Sequence, residues 1–379
     1  MSPIDFESAA NAILLNPRIP SEQAESLRAR LTAAGHLAGH IFILTSGSSS
    51  DPKWVALSKQ AILASAEAAN GHLESTSSDI WLHSLPDFHV GGIGIRARAH
   101  LSGAKLVEHG PDRWNANAFH EVLEASRATL TSLVPTQVHD LVQAGLRSPN
   151  PLRAIVVGGA ALSESTYQTA RALGWPLLPS YGLTEAASQV ATAPLDSLAK
   201  LNYPPLTLLP HLEARIGRNC GRIKLRGPSL LTGYIDADEG GEPRFTNPKT
   251  DDGWFTTEDL GELNRRDLTP IGRVQDRIKI GGELANLAAL RRTLEEEAMN
   301  LRIDQHVALI AEPDSRLESA IALVIEAAQA HHTDTLKAAF DANVLPYERI
   351  RRVHFVDELP RTELGKVKWS AFAALGPEP

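Results

Sequence analysis

The sequence predicts an α/β protein, in which a large domain of mainly parallel sheets with a β-rich subdomain precedes a small α+β domain. Short apolar runs alternate with helix-like stretches in the first half of the chain, as in "ATLTSLVP", "TQVHDLVQAG" and "LRAIVVGGA". From about Leu212 apolar and polar residues alternate between glycine turns, which favours antiparallel or barrel-like strands. Beyond "GRVQDRIKIGGE" a second alternation spans about a hundred residues, the size of one domain.

The elements follow from these patterns in order. Ser21 is expected to cap a helix that ends at Gly35, and the strand "IFIL" follows it. Further strands are predicted at "WLHSLP", "AKLVEHG" and "PLLPSYG", and helices at "NAFHEVLEAS" and "SESTYQTARALG". We expect one domain over residues 1–275 and a second, mobile domain over 276–379, with ligands at the carboxyl ends of the parallel strands.

Composition limits the class of partner. The 379 residues carry a net charge of -8, contain 5% aromatic residues and include no run of Lys or Arg, which argues against nucleic-acid binding. The N-terminal residues lack the pattern of a signal peptide and no apolar run is long enough to span a bilayer, so a cytoplasmic protein without membrane insertion is expected. The single Cys220 makes disulfide and zinc chemistry improbable. A small-molecule ligand is the remaining expectation.

The loop "LTSGSSSDPKW" is the first candidate binding motif. It lacks the GxxxxGK[ST] pattern of a nucleotide-binding P-loop, because Lys53 lies between Pro52 and Trp54. Its hydroxyl groups and backbone N–H groups could still bind phosphate, with Lys53 supplying a positive charge. The alternative is a solvated serine-rich turn. The candidate residues are Thr45, Ser46, Gly47, Ser48, Ser49 and Lys53.

Two further segments end apolar strands with residues suited to a nucleotide. In "VVGGAAL" the paired glycines would let a flat ring approach the backbone, although a tight turn is the simpler interpretation. In "SYGLTEAASQ", Thr184 could hydrogen-bond a phosphate and Glu185 could hold Mg²⁺. The alternative for this segment is the start of a helix with an acidic residue in its first turn.

Two motifs lie further along the chain. In "DGWFTTEDLG", the Asp259 carboxylate could accept hydrogen bonds from both ribose hydroxyls, or it could be a solvated turn residue. In "LPRTELGKVKW", Lys366 follows Gly365, and a lone lysine in such a place is usually a surface residue.

Together, and in this order, the five segments resemble the acyl-adenylate-forming superfamily of CoA ligases, luciferases and adenylation domains, from Phe42 to Trp369. The resemblance implies ATP, Mg²⁺ and coenzyme A as ligands together with a carboxylic acid. The loop from Thr45 to Lys53 would then close over the β- and γ-phosphates, and Lys366 would bridge carboxylate and phosphate during adenylation. The other implied positions are Gly158, Gly159, Ala160 and Tyr181 at adenine, Thr184 at phosphate, Glu185 at Mg²⁺, Asp259 at ribose, Arg273 at ribose or phosphate, Asp276 at the hinge, and Gly281 and Gly282 beside the pantetheine chain.

A finer resemblance concerns the acid. The segment "LPDFHVGGIGIRARAHLSGAKLV" is similar to the "LPLFHVGG" segment of the o-succinylbenzoate-CoA ligases of menaquinone biosynthesis, and "TEAASQ" to their "TE.(A/C)SQ" segment. It implies an acid pocket formed by His89, Gly91, Gly92, Ser188 and Gln189. Other aryl or short acyl acids, transfer to a carrier protein and a non-catalytic binding protein remain alternatives. Members often form homodimers, so a homodimer is a further expectation.

The chain also departs from the family pattern. Ser50 and Glu258 stand where glycine is usual, and Arg222 stands where glutamate is common. Glu258 would add negative charge near the nucleotide. Only 44 residues precede Thr45, so a shortened N-terminal subdomain is expected.

Overall fold

The computed structural model describes residues 4–45, 53–109, 114–218, 220–237, 242–362, 365, 367–369 and 371–372. These residues form two compact units. The larger unit contains the described residues up to 217 together with 223–257 and 263–269, and the smaller unit contains 218–222, 258–262 and those from 270 onward. The domain boundary expected between residues 275 and 276 stays a prediction.

The secondary structure is mixed. The strands are β1 (Ala12–Leu14), β2 (His40–Thr45), β3 (Lys53–Ser58), β4 (Ile80–His83), β5 (Lys105–Glu108), β6 (Leu130–Leu133), β7 (Ala154–Val157), β8 (Leu177–Leu183), β9 (Ser188–Thr192), β10 (Thr207–Leu208), β11 (Glu213–Ile216), β12 (Arg222–Arg226), β13 (Gly233–Ala237), β14 (Pro243–Thr246), β15 (Phe255–Asn264), β16 (Asp267–Arg273), β17 (Arg277–Ile280), β18 (Glu283–Asn286), β19 (Val307–Asp314), β20 (Glu318–Glu326) and β21 (Ile350–Val356). The helices are α1 (Ser21–Ala29), α2 (Lys59–Leu73), α3 (Val90–Ser102), α4 (Ala116–Ser126), α5 (Pro135–Gln143), α6 (Glu164–Ala172), α7 (Leu287–Asn300) and α8 (Thr333–Ala342). The predicted α/β class is confirmed.

The largest sheet places the carboxyl ends of its parallel strands along one edge. Its strand order is β11-β12-β15-β16-β10-β9-β8-β7-β6-β4-β5, and the pairs from β8 through β7, β6 and β4 to β5 are parallel. Strands β6 and β7 are buried along their whole length, as expected for strands covered on both faces. Large buried side chains such as Phe119, Tyr167 and Trp175 pack against them. Segments that follow these strands therefore lie at a common edge.

A second sheet, with the order β1-β2-β3-β13-β14, carries the serine-rich loop. Strands β2 and β3 form an antiparallel hairpin in which Thr45 pairs with Lys53. The sequence analysis predicts β2 but not β3, so it misses the hairpin. The two ends of the loop are thus held side by side by the strand pairing.

The β-rich region after Leu212 is antiparallel. Residues Glu213–Ile216 of β11 pair with β12, and the strand order then runs through β15 and β16 to β10. The alternation of apolar and polar residues predicts antiparallel or barrel-like strands. These strands are antiparallel and extend the large sheet.

The smaller unit is an α+β assembly around its own core. Strands β19 and β20 are antiparallel, β20 and β21 are parallel, and β17 and β18 form a hairpin. Leu290 and Leu294 of α7 and Leu336 and Phe340 of α8 are buried against this sheet. The spacing of four residues within each pair places both side chains on one face of the helix, which explains which face packs.

Helix starts follow local capping chemistry. The Ser163 hydroxyl accepts a hydrogen bond from the Thr166 N–H at the start of α6 (3.2 Å), and Ser58 does the same for Ala61 in α2 (3.0 Å). The expected cap at Ser21 is wrong, because Pro20 takes the N-cap position and Ser21 is already helical. That α-helix ends at Ala29 and continues as a 3-10 turn to Ala34. Within the described ranges, every helix is too short or too polar to cross a bilayer.

Candidate active site

The ends of the predicted phosphate loop lie next to an aromatic ring in the larger unit. The Thr45 hydroxyl donates a hydrogen bond to the Lys53 carbonyl oxygen at 3.3 Å. The Lys53 ammonium lies 5.8 Å from the centre of the Tyr234 ring, within the range of a cation–π contact. The predicted phosphate-binding residues Ser46, Gly47, Ser48 and Ser49 lie outside the described residues.

Tyr234 also contacts the predicted magnesium ligand. Its hydroxyl donates a hydrogen bond to Oε1 of Glu185 at 2.8 Å, and the Leu231 N–H donates to the Glu185 carbonyl oxygen at 2.8 Å. Glu185 therefore lies beside the same ring as Lys53. No sequence motif pointed to Tyr234, although "TGYI" is part of the alternating pattern that predicts a strand.

Glu185 is the carboxylate that this arrangement offers to Mg²⁺. Among the described residues no three His, Cys, Asp or Glu side chains gather in a way that could hold a metal ion. Mg²⁺ is commonly held by one or two carboxylates together with substrate phosphates and water. The donor set around Glu185 therefore fits a nucleotide-bound Mg²⁺ better than an all-protein metal site.

The turn that carries Thr184 and Glu185 is strained. Ala187 and Ser188 have φ of 53° and 105°, in the left-handed region that L-residues rarely adopt. A Cβ on Gly182 would lie 1.9 Å from the Ser188 carbonyl oxygen, so glycine is required there. Such backbone costs roughly 1 to 3 kcal/mol per residue and is concentrated at functional sites. The turn directs the Ser188 hydroxyl towards the interior of the larger unit.

The predicted adenine residues follow β7 and β8, which are neighbours. Gly158 donates its N–H to the Leu133 carbonyl oxygen at 3.1 Å, and a Cβ there would lie 3.7 Å from the Ser180 carbonyl oxygen. Gly159 has φ of 87°, which explains a glycine, and Ala160 follows it at an exposed position. Tyr181 is half-buried at a bulge in the β8–β9 ladder. The contact of these residues with adenine stays a prediction.

Of the predicted acid-pocket residues, His89 lies between β4 and α3, Gly91 and Gly92 lie in the first turn of α3, and Ser188 and Gln189 begin β9. His89 is the N-cap of α3, and its ring centre is 4.7 Å from that of Phe88. A Cβ on Gly92 would lie 2.2 Å from the Pro86 carbonyl oxygen, and one on Gly91 would lie 2.9 Å from the Leu85 side chain. Both glycines are thus explained by the packing of their own loop, whereas their role beside an acid stays a prediction.

Gln189 is a buried amide with one hydrogen-bonding atom that is unsatisfied within the described part of the chain. Its amide nitrogen donates to the Thr192 hydroxyl at 2.7 Å, and its Oε1 has no hydrogen-bond partner among the described residues. A buried carbonyl oxygen without a donor is costly, so this amide is a candidate for a ligand contact.

Arg98 is a buried cation that the sequence analysis missed. It is 2% exposed, and its guanidinium lies 3.2 Å from the Ser132 hydroxyl and 3.4 Å from the Ser188 hydroxyl. No described carboxylate forms an ion pair with it, its Nε has no partner there, and burial lowers its pKa to about 10. It remains protonated at neutral pH. The one signal in the sequence is an arginine inside the otherwise apolar and small "GGIGIRARA" helix.

In the smaller unit the predicted ribose residues are paired with one another. Arg273 Nε lies 3.4 Å from Asp259 Oδ1, and the Arg273 N–H donates to Asp276 Oδ2 at 3.0 Å. Two of the three residues that depart from the family pattern, Arg222 and Glu258, also form an ion pair. The unusual negative charge of Glu258 is therefore matched by the unusual positive charge of Arg222.

The hinge and tunnel candidates belong to the same unit. Asp276 Oδ1 accepts a hydrogen bond from Arg291 at 3.1 Å, and that guanidinium lies 3.6 Å from the Trp369 ring centre. Gly281 and Gly282 form the β17–β18 turn with φ of 61° and 88°, which favours glycine at both positions. Lys366 lies outside the described residues, but Arg361 and Val367 pair on either side of it.

Comparisons with known proteins agree with this arrangement. Residues 10–235 match the family model described as "AMP-binding enzyme". The chain is 30% identical over 330 residues to the 2-succinylbenzoate–CoA ligase of Listeria monocytogenes, covering 86% of this chain and 67% of the relative. It is 35% identical over 240 residues to the 2-succinylbenzoate–CoA ligase of Escherichia coli, covering 63% of this chain and 49% of that relative.

A solved structure shows the same fold. It is the o-succinylbenzoate CoA synthetase of Bacillus subtilis in complex with its acyl-adenylate intermediate, which superposes with a TM-score of 0.74 at 24% identity. The superposition covers 88% of this chain and 68% of that one. The resemblance seen in the sequence is confirmed, and the chain belongs to the family of AMP-binding enzymes.

Proposed function

We propose that this protein is an ATP-dependent carboxylate–CoA ligase that converts 2-succinylbenzoate into 2-succinylbenzoyl-CoA, releasing pyrophosphate and then AMP. Family membership and the activity named for the two bacterial relatives support the reaction. The observation that carries the choice of acid is the buried Arg98.

Arg98 needs an anion that the described residues do not supply. Burying a guanidinium is expensive unless a negative partner compensates, and two neutral hydroxyl groups compensate only in part. Ser132 and Ser188 hold two of its nitrogens, which keeps its charge in a fixed position. A carboxylate of the substrate would remove the remaining cost, with a bidentate geometry suited to the guanidinium.

2-Succinylbenzoate carries two carboxylates, one for activation by ATP and one to pair with Arg98. One carboxylate is activated by ATP, so it must be presented to the α-phosphorus. The other keeps its charge throughout the reaction and can pair with Arg98. An acid with a single carboxylate would leave Arg98 without an anionic partner, and an uncompensated charge in a closed site is a strong basis for selectivity.

The first step joins two anions. A carboxylate oxygen attacks the α-phosphorus of ATP, the bond to the bridging oxygen breaks, and pyrophosphate leaves with the electron pair. We assign charge neutralisation to Lys366 and Lys53 and assign Glu185 to holding Mg²⁺, which supplies positive charge at the phosphates when bound. Thr184 is assigned to hydrogen bonding with phosphate oxygen. Since little covalent chemistry falls to the protein, alignment and electrostatics account for its contribution.

In the second step the thiolate of coenzyme A attacks the acyl carbon and AMP leaves. We assign the turn at Gly281 and Gly282 to the pantetheine chain, and Asp276 to the hinge about which the second domain reorients. Asp259 and Arg273 are assigned to the ribose hydroxyls and the adjacent phosphate. A reorienting domain that withdraws Lys366 between the steps fits a two-step cycle.

The test is release of pyrophosphate from ATP and Mg²⁺ with a panel of carboxylic acids, with and without coenzyme A, and with products identified by mass. The panel includes 2-succinylbenzoate and 4-oxo-4-phenylbutanoate, which lacks only the ring carboxylate. We expect coenzyme A-dependent turnover of 2-succinylbenzoate. Arg98→Met should raise KM for it at least about tenfold while leaving KM for the ring-carboxylate-free analogue unchanged.

Other outcomes would redirect the proposal. Turnover of a different acid would keep the reaction and replace the substrate. Adenylate formation with transfer only to a carrier protein would replace the acceptor. Nucleotide binding without pyrophosphate release from any acid would contradict catalysis and favour a binding protein.

A further inference from the structure

Four ionisable side chains meet at the carboxyl end of β4. Arg96 donates from Nε to Asp87 Oδ1 at 2.6 Å, from Nη2 to Asp87 Oδ2 at 2.9 Å, and from Nη1 to Glu108 Oε1 at 2.7 Å. The two ring nitrogens of His83 lie 3.1 Å from Asp87 Oδ1 and 2.7 Å from Glu108 Oε2. We call His83, Asp87, Arg96 and Glu108 the β4 clamp.

The β4 clamp joins three elements around the candidate acid pocket. His83 ends β4, Glu108 ends the neighbouring parallel strand β5, and Arg96 belongs to α3. Asp87 lies in the loop between β4 and α3, two residues before His89. The residues on either side of Asp87 form a turn, in which the His89 N–H donates a hydrogen bond to the Pro86 carbonyl oxygen at 3.1 Å. The clamp therefore fixes the position of this loop relative to the helix that follows it.

Three of the four side chains of the β4 clamp are well shielded from water, which strengthens the contacts between them. The side chains of His83, Asp87 and Arg96 are 7%, 17% and 19% exposed. Burial alone would raise the pKa of Asp87, but the close approach of His83 and the hydrogen bonds from Arg96 outweigh it and lower the pKa to about 2. Charge-assisted bonds with little solvent screening hold their geometry better than exposed pairs.

The opposite face of α3 carries Arg98. Residues two apart on an α-helix are separated by about 200° around its axis, so Arg96 and Arg98 project from opposite faces. Gly94 lies against the Arg98 side, where a Cβ would be 3.1 Å from the Arg98 guanidinium and 3.5 Å from the Ser188 hydroxyl. A small shift of α3 would therefore move the Arg98 guanidinium relative to Ser132 and Ser188.

From these contacts we propose that the β4 clamp is a positioning network for the acid pocket. It fixes the position of α3 relative to the loop at Asp87, and so fixes where the Arg98 guanidinium lies in the acid pocket. This inference rests on the proposed function, in which Arg98 pairs with the carboxylate that is not activated. Because the similar segment of the o-succinylbenzoate-CoA ligases has leucine in place of Asp87, the clamp is a feature of this chain beyond the family pattern.

The clamp has a matched control in the same sheet. Asp79 immediately precedes β4, at its amino end, and accepts hydrogen bonds from Arg153 Nε at 2.9 Å and Nη2 at 2.8 Å. This pair has the same chemistry and a similar burial, but it lies at the far end of β4 from Asp87. Asp79→Asn and Asp87→Asn therefore remove equivalent ion pairs at opposite ends of one strand.

The experiment compares steady-state kinetics of the full-length protein and its Asp87→Asn, Arg96→Met, Arg96→Lys and Asp79→Asn variants. We expect Asp87→Asn and Arg96→Met to raise KM for the acid at least fivefold, with kcat and KM for ATP within twofold of the original values. Arg96→Lys, which keeps the charge, should recover part of the loss. Asp79→Asn should leave all three constants within twofold, even though it lowers the melting temperature. An equal rise of KM in Asp79→Asn, or a fall in kcat alone, would overturn the proposal.

A second readout separates this inference from the proposed function. Amide hydrogen exchange at Gly92 and Ile93, whose N–H groups donate to the His89 carbonyl oxygen at 3.0 and 3.3 Å, should be at least fivefold faster in Asp87→Asn than in Asp79→Asn. Equal exchange in the two variants would overturn the clamp whatever acid is activated. If the original protein activates an acid other than 2-succinylbenzoate, the proposed substrate fails and the kinetic comparison is made with the activated acid.

Discussion

The Tyr234 hydroxyl donates a hydrogen bond to Oε1 of Glu185 at 2.8 Å, which leaves Oε2 for the Mg²⁺ ion that we propose Glu185 holds. No described residue donates a hydrogen bond to that second oxygen, Oε2. The tyrosine therefore fixes the orientation of the carboxylate without occupying both of its oxygens. The Tyr234 ring also faces Lys53. Tyr234 therefore contacts both the carboxylate that we assign to Mg²⁺ and the ammonium group that we assign to the phosphates of ATP.

Tyr234→Phe should weaken the response to magnesium. A hydrogen bond to a charged group contributes about 1.5 to 3 kcal/mol, and a carboxylate without it must be ordered when the metal binds. We expect the half-saturating Mg²⁺ concentration for pyrophosphate release to rise at least about fivefold. KM for the acid should stay within twofold.

The control for this variant is Tyr203→Phe, which also removes one hydroxyl from the larger unit. The Tyr203 ring instead meets that of Tyr167 edge to face, with 5.1 Å between ring centres. The control variant should leave the magnesium dependence unchanged. A Tyr234→Phe variant with an unaltered magnesium titration would show that Glu185 needs no orientation from the tyrosine.

The sequence predicts the residues whose identity follows from a local pattern. Glu185 was predicted because it comes directly after an apolar strand, and the strands of the parallel sheet were predicted from apolar runs of the right length. Tyr234 was not, because it reaches Glu185 through the pairing of Tyr234 with Val55 between β13 and β3. A contact across 49 positions of sequence leaves no local signal.

Arg98 and the β4 clamp were missed for a related reason. An arginine on a helix is usually a surface residue, and only the packing of α3 shows that Arg98 is buried while Arg96 reaches Asp87. The place of Gly92 in the acid pocket stays a prediction, but the Pro86 carbonyl oxygen, 2.2 Å from where a Cβ would lie, gives a packing reason for glycine that no local pattern reveals. Burial and long-range pairing, which are properties of the folded chain, decide these cases.

Lys366→Ala should abolish the first half-reaction and spare the second. Without the ammonium group, the charge that we assign to bridging the attacking carboxylate and the α-phosphate is lost, so pyrophosphate release should fall at least about 100-fold. Thioester formation from supplied acyl-adenylate should stay within about threefold. Lys368→Ala is the matched control, since Lys368 is an exposed lysine two residues away. Normal pyrophosphate release by Lys366→Ala would refute its assignment.

The pair formed by Arg222 and Glu258 should have little influence on ATP binding. On the strand β15, Glu258 and Asp259 point to opposite faces, and the side chain of Glu258 is 69% exposed. We therefore expect Glu258→Gln to leave KM for ATP within about twofold, since exposed pairs contribute little. Asp259→Asn should raise it at least about tenfold, because it removes an acceptor for the ribose hydroxyls. Similar increases in the two variants would show that Glu258 acts on the nucleotide.

Arg291→Met should destabilise the smaller unit. It removes the partner of the Asp276 carboxylate and the cation over Trp369, and burial lowers the Arg291 pKa to about 10, so its charge is well shielded. We expect a loss of about 2 to 3 kcal/mol in the free energy of unfolding, measured by urea denaturation. Arg292→Met is the control, since its exposed guanidinium makes one 3.4 Å hydrogen bond to the Ile271 carbonyl oxygen. Equal losses in both variants would contradict a special role for Arg291.

The ion pair of Asp79 with Arg153 predicts a specific pH dependence of stability. Burial alone would raise the pKa of Asp79, but hydrogen bonds from Arg153, the Thr76 N–H and Thr129 lower it from 3.8 to about 2. A carboxyl whose pKa is lower in the folded state stabilises the fold above its unfolded pKa, and this contribution disappears as the pH falls through the folded value. Between pH 5 and 8, the free energy of unfolding of the unsubstituted protein should therefore exceed that of the Asp79→Asn variant by a constant amount, about 2 kcal/mol. Urea denaturation at pH 7, 4 and 3 should show this difference shrinking below pH 4, whereas an unchanged difference at pH 3 would mean that the lost ion pair does not cause it.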